Sequence, residues 1–283
     1  MIPTQPLEGG ESLVASDVSP ETPCYRPDLR RVTLGELFRL SGPLAFPVAF
    51  VSFKVLRNQL PLGHASPMPD RLIPVEAEAV PEGLGALRQP LLDAVAAAGF
   101  RRLFEYRMPR IRDDGSTGVS AFHLNDDGSI AAVVVAAESR TPLKVVRRVL
   151  VAFTTRCTDG RSVATTDQER KFDPPPESDV EYSPGRSPAA LLARHRDRIA
   201  ALGPGQIAPL RPEEAQAFAL ANERRWLEFQ RDRGVMVPLT DEERARLFGG
   251  GAGGTKGRGA AMVKTLLLWL ALFALAVLLF EVL

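Results

Sequence analysis

Residues 118–166 read GVSAFHLNDDGSIAAVVVAAESRTPLKVVRRVLVAFTTRCTDGRSVATT. Two apolar runs, GVSAFHLN (118–125) and SIAAVVVAA (129–137), flank Asp126-Asp127-Gly128. Two more, VVRRVLVAFTTRC (145–157) and RSVATT (161–166), flank Thr158-Asp159-Gly160. Asp-Gly between β-branched runs is a hairpin signal, because glycine takes up the positive φ that a tight turn demands. With FRRLFEYRM (100–108) in front, the segment predicts an antiparallel β-meander of four to five strands. The two turns do not mark an internal repeat, since their flanks share nothing beyond strand character.

Working outward, the period changes from strand to helix on both sides. Upstream, LGALRQPLLDAVAAAG (84–99) places Leu84, Leu87, Leu91, Leu92, Val95 and Ala98 on one helical face, and Gly99 supplies the stop. Pro90 either kinks this helix or marks its true first turn. Before it, Pro61, Pro67, Pro69, Pro74 and Pro81 make residues 57–82 an extended linker or arm. Downstream, DPPPESDVEYSPG (173–185) reads as a loop. Ser187-Pro188 then opens a helix with Leu191, Leu192, His195 and Ile199 along one side. A longer helix runs from Arg211 or Pro212 to Asp232, with Glu213 and Glu214 complementing its dipole. Phe218, Ala221, Arg225 and Phe229, beside Leu220, Trp226 and Leu227, form its apolar stripe, and a short helix starts at Asp241. The fold class is α+β: the meander packed with helices, then a Gly-rich tether and one C-terminal transmembrane helix.

That last element rests on TLLLWLALFALAVLLF (265–280), which has no charge, no Pro and no Gly. A helix of roughly 17–25 apolar residues crosses a hydrocarbon core, and one apolar on every face belongs in lipid. Leu266, Phe273 and Phe280 are its lipid-facing anchors, and Trp269 sits at interface depth. The preceding GGGAGGTKGRGAAMVK (249–264) is a flexible tether. Lys256, Arg258 and Lys264 set the topology, since positive residues flanking a span stay cytoplasmic. The expected arrangement is a tail anchor with the N-terminal domain in the cytoplasm.

The expected organisation is an N-terminal segment (1–56), the Pro-rich arm (57–82), a soluble α+β domain (83–248), the tether (249–261) and the span (262–283). Within the first, LFRLSGPLAFPVAFVSFKVL (37–56) is a second apolar patch. Its charge-free run from Leu44 to Phe53 is short, and Pro43 and Pro47 break helical hydrogen bonding. It admits three readings: a second span, a monotopic segment beside the anchor, or an element of the soluble fold. The first residues show no basic n-region or apolar h-region, so no secretory signal is visible. Cys24 and Cys157 offer no metal-type spacing and read as free thiols.

Formal net charge is +1, which suits neither a nucleic-acid glove nor an acidic tail protein. Only Lys54, Lys144, Lys171, Lys256 and Lys264 among the 35 basic residues are lysine; with abundant Ala, Gly and Pro this looks like GC-rich coding. Arg101, Arg102, Arg107, Arg110 and Arg112 form one basic cluster, and Arg194, Arg196 and Arg198 a second. They read as headgroup contacts or solvated faces. Nucleic acid is disfavoured because no recognition fold or aromatic interleaving accompanies them.

Catalytic motifs are missing. His64, His123 and His195 fall in different elements, with no H-x-x-H, H-E-x-x-H or C-x-x-C to build a metal site. His195 reads as a helix-face residue with a polar partner, and His123 as packing beside the sheet. Asp113-Asp114, Asp126-Asp127 and Asp159 precede glycines in turns and lack the spaced ligands of a calcium loop. No nucleophile elbow or phosphate loop is present. No cofactor is expected. The expected function is a membrane-anchored binding or scaffold module, with the lipid bilayer and a protein at its surface as partners. The alternative is a membrane-anchored enzyme or small-ligand protein with a pocket between sheet and helices, using His123, Glu105 or Asp159.

Overall fold

The computed structural model describes residues 17–58, 65–76, 80–111, 117–140, 145–203 and 205–248. The meander is present: β5 (Thr117–Asn125), β6 (Ala131–Arg140), β7 (Val145–Arg156) and β8 (Ser162–Thr166) pair antiparallel in sequence order. Gly128 and Gly160 have φ of 72° and 84°. At each turn an Asp side chain accepts a backbone N–H two residues on, Asp127 from Ser129 and Asp159 from Arg161. β4 (Phe100–Arg107) joins β5 antiparallel, with a bulge at Leu103, and β3 (Ile73–Pro74) joins β4.

The sheet is larger than the sequence predicts, and mixed. Its seven strands run β3-β4-β5-β6-β7-β8-β9, and β9 (Ser178–Tyr182) lies parallel to β8. β9 falls inside the stretch that reads as a Pro-rich loop. Its alternation is confined to Asp179–Tyr182, too short beside Pro174–Pro176 to mark a strand, and pairing with the free edge of β8 makes it one.

Both faces of the sheet are covered. Ala121, Ala132, Val134, Val151 and Phe153 point to one side and are buried under α2 (Glu82–Ala97) and α3 (Pro188–Ala200). Phe122, Leu124, Ala131 and Tyr106 point to the other and pack against Leu210 and α4 (Ala215–Asp232). Strands buried on both faces lose the polar alternation of a half-wet sheet, which explains the unbroken AAVVVAA of β6. α2 keeps Pro90 within it and turns Leu84, Leu92 and Val95 inward, but Leu87, expected on the same face, is 45% exposed. α3 has the expected Ser187 cap and buries Leu191, Leu192, His195 and Ile199. In α4 the buried face is Ala215, Ala219, Leu227 and Gln230; Ala221 and Trp226 turn outward.

A three-stranded sheet ties the start of the described chain to its end. β1 (Cys24–Pro27) runs between β10 (Met236–Pro238) and β2 (Ser66–Pro67), antiparallel to both. From β1 the chain enters α1 (Leu34–Phe50), which a π-helical turn, Val51–Val55, continues. From β10 it enters α5 (Asp241–Phe248), whose Leu247 and Phe248 pack with Cys24, Val18 and Leu239.

Candidate functional site

The segment 37–56 is helical almost throughout, and its exposure sets it apart among the described residues. Leu34–Val55 has a mean hydropathy of 1.3, enough to pass as a membrane span, yet only 11% of its most apolar window is buried. Leu34, Phe38, Leu44, Val55 and Leu56 stand 45–94% exposed, Leu44 most of all.

It is not one straight rod. Gly42 has φ 74° and ψ 168°, outside any helix, and Pro43 follows it. Beyond the break the chain returns on itself. Lys54 Nζ donates to the carbonyls of Arg30 (2.7 Å) and Val32, both of which precede the helix. Phe38 meets Phe46 edge-on at 5.3 Å, and Phe46, Ala49, Phe50 and Phe53 pack on Val32 and Leu37. A continuous helix of 22 residues would separate its ends by about 33 Å, far beyond a lysine's reach. The segment is therefore a helical hairpin with its bend at Gly42-Pro43. Of the three sequence readings, a straight span is the one this geometry removes.

The base of the hairpin is pinned by a buried carboxylate. Glu36 is fully buried in the first turn of α1. Its oxygens accept from Thr33 N at 2.8 Å and Asp173 N at 2.9 Å, and from Arg233 Nη1 and Nη2 at 2.8 and 2.7 Å. Thr33 Oγ1 accepts from Glu36 N, which completes a capping box. Burial would raise the carboxyl pKa, but the Arg233 guanidinium and two backbone N–H groups outweigh it and hold it at about 2. Arg39 adds a bond to Asp173 at 2.7 Å, and Gln230 Nε2 donates to Asp173 O at 2.9 Å. One cluster thus joins α1, the 167–177 crossover and the end of α4. No local motif announces it beyond T-x-x-E at 33–36; its partners lie well over a hundred residues away.

The two described histidines, His123 and His195, are buried in the fold. His195 is completely buried on α3 between two threonines. Thr155 Oγ1 donates to Ser129 O at 2.9 Å, so it accepts from His195 Nε2 at 3.0 Å. Thr165 Oγ1 accepts from Arg198 at 2.9 Å, which leaves its own proton for His195 Nδ1 at 3.1 Å. Every polar hydrogen is used by a neutral ring, and burial lowers its pKa to about 4. His123 is buried in β5 with Nδ1 3.2 Å from Ala121 O, and burial lowers its pKa too.

Register puts Arg102 beside His123 and Glu105 beside Ala121, so Glu105 and His123 share a sheet face. Glu105 is committed to Arg88 of α2 at 2.8 Å and to Arg102 at 2.7 Å. Asp159 is held by Arg161 in the β7–β8 turn and joins neither. A shallow depression of about 330 Å³ lies at the hairpin end of β6 and β7, lined by Ala137, Ser139, Val146 and Arg148, away from all three. Among the described residues, no group of three or more His, Cys, Asp or Glu is placed to hold a metal. Cys24 and Cys157 are buried thiols in separate clusters, each with its pKa raised by burial.

Four of the described arginines flagged in the sequence make ion pairs within the protein, Arg102 with Glu105 among them. Arg107 pairs with Asp17, Arg194 with Glu181, and Arg198 with Asp179 and the Ala164 carbonyl. Arg112, His64 and Asp113-Asp114 lie outside the described residues. So do the expected anchor residues Leu266, Trp269, Phe273 and Phe280 and the topology-setting Lys256, Arg258 and Lys264.

No protein-family model matches the chain, and no curated protein or solved structure matches it either.

Proposed function

We propose that this chain is a membrane-anchored protein whose α+β domain serves as a binding or scaffold module at the cytoplasmic face of the bilayer. The observation that carries the reading is the composition of 265–280: sixteen positions without a charge, Pro or Gly, behind a Gly-rich tether. Lys256, Arg258 and Lys264 in front of it support the cytoplasmic orientation. A flexible tether raises the effective concentration of a domain near any partner in the same membrane, which suits recruitment. The domain's polar side chains support the non-catalytic half of the reading. His195 and Glu36 are buried, Glu105 is half-buried, all three are bonded to other protein groups, and none of them lines the depression at β6 and β7.

Truncation tests the anchor. The full chain should resist extraction from membranes by alkaline carbonate, and a chain ending at Gly259 should be extracted by it. Retention of the truncated form through the carbonate wash would show that the anchor lies elsewhere. In sealed inverted vesicles, added protease should digest residues 57–248, and in right-side-out vesicles it should not; the reverse pattern would overturn the orientation.

A further inference from the structure

We propose that the helical hairpin Leu34–Val55 is a monotopic membrane wedge, which dips its Gly42-Pro43-Leu44 tip into one leaflet and keeps its base at the headgroups. It deepens the membrane reading above by adding a second point of contact, and it rests on that reading for delivery of the chain to a bilayer.

Length sets the depth. The outbound arm from Leu34 to Ser41 is eight residues and the return arm from Pro43 to Val55 thirteen. At ~1.5 Å per residue they extend about 12 and 20 Å, short of a ~30 Å hydrocarbon core. The Lys54 bonds to Arg30 and Val32 keep both ends of the hairpin together, on one side. An apolar insert whose ends share a side enters a leaflet and returns.

Chemistry sets the partner. Leu44 at the bend is 94% exposed, Pro43 and Pro47 are exposed beside it, and Phe38 at 45% continues the apolar surface down the outbound arm. Glycine and two prolines at an exposed tip would suit a solvent loop, but Leu44, Ala45 and Phe46 among them would not. The base is basic: Arg31, Lys54 and Arg57 lie there with Arg30, whose guanidinium pairs with the buried Asp28, and Glu36, the other acid of residues 28–58, is buried too; Arg39, nearer the bend, is paired with Asp173. Arg31 is 62% exposed at its side chain, and Arg57 is exposed. Apolar tip above cationic base is the profile that anionic lipid accepts at its interface.

The end of the described chain lies beside the strand that leads into the hairpin: α5 ends at Phe248 against Cys24 of β1. The Gly-rich sequence 249–261 follows Phe248 directly.

The test places a nitroxide on the full chain, reconstituted in phosphatidylcholine–phosphatidylglycerol vesicles, at Leu44→Cys and, as a solvent control, at Asp126→Cys. Both positions are exposed, and the native thiols Cys24 and Cys157 are buried. Collisional relaxation by oxygen, relative to a water-soluble nickel chelate, should be several-fold higher at position 44 than at 126. An impermeant maleimide added outside sealed vesicles should modify Leu34→Cys and Val55→Cys to the same extent. A nitroxide at 44 as open to nickel as the control, or shielded from both relaxants, overturns the wedge. Modification of positions 34 and 55 from opposite sides overturns it in favour of a span. A chain that fails to float with vesicles overturns wedge and anchor together; one that floats with position 44 in water overturns the wedge alone.

Discussion

Gly128 and Gly160 close the two Asp-Gly turns with nearly the same positive φ, yet valine should cost far more at one than at the other. At both, an L residue with a branched β-carbon is strained by roughly 1–3 kcal/mol. At Gly160 nothing lies within 4 Å of an added Cβ, so strain is the whole cost. At Gly128 a Cβ would meet the Leu210 carbonyl oxygen at 2.4 Å, and that oxygen belongs to backbone that cannot rotate aside. Leu210 must retreat by about 1 Å to reach ordinary contact. Its N–H donates to Gly128 O at 2.8 Å, a bond that loosens with the shift and costs about 0.5–1.5 kcal/mol. Its side chain is 5% exposed among Phe122, Tyr106 and Ala215, and loosening it adds about 1–2 kcal/mol. Gly128→Val should therefore lose about 2.5–6.5 kcal/mol against about 1–3 for Gly160→Val. Urea unfolding of the full chain in mild detergent, followed by far-ultraviolet circular dichroism, measures both. Equal losses, or a larger one at Gly160, would refute the role given to Leu210 beneath the first turn.

Two buried titratable groups give further predictions. Glu36→Gln keeps the shape of the side chain but removes the charge facing Arg233, and should cost about 2–3 kcal/mol, below the full buried-pair figure because Arg233 is partly wet. Its folded pKa of about 2 lies below the ordinary 4.5, so the stability it confers is complete above 4.5 and lost as pH falls through 2. The gap between wild type and variant should narrow across that window; a gap independent of pH would refute the ion pair. His195, with a folded pKa of about 4 against 6.5, contributes fully above pH 6.5. It should draw the protein down by up to about 3 kcal/mol as pH falls to 4, because the unfolded state binds the proton first. His195→Phe should be less stable at neutral pH by about 1–3 kcal/mol, through two threonine hydroxyls that lose their ring partner. Its acid loss between pH 6.5 and 4 should be smaller than that of wild type, and an unchanged acid limb would refute the assignment.

The sequence by itself determined whatever is local. Asp-Gly turns between Val-rich runs gave the meander its register, because turn chemistry and side-chain period act within a few residues. Ser187-Pro188 and the spacing of Leu191, Leu192, His195 and Ile199 gave α3 its start and its buried face for the same reason. What tertiary structure decided is whatever depends on a distant neighbour. SDVEY is a strand only because β8 leaves an edge free, and β1 only because β10 and β2 flank it. Leu87 faces water, although its spacing matches that of its buried neighbours. Gly128 and Gly160 look alike in sequence and differ only in what lies beneath them. The hairpin at 34–55 shows the division most clearly. Gly42 and Pro43 permit a break, but composition cannot say whether a broken apolar helix runs on or turns back. Lys54 closing on the Arg30 and Val32 carbonyls, and Glu36 held by Arg233 from the far end of the chain, decide that it turns back.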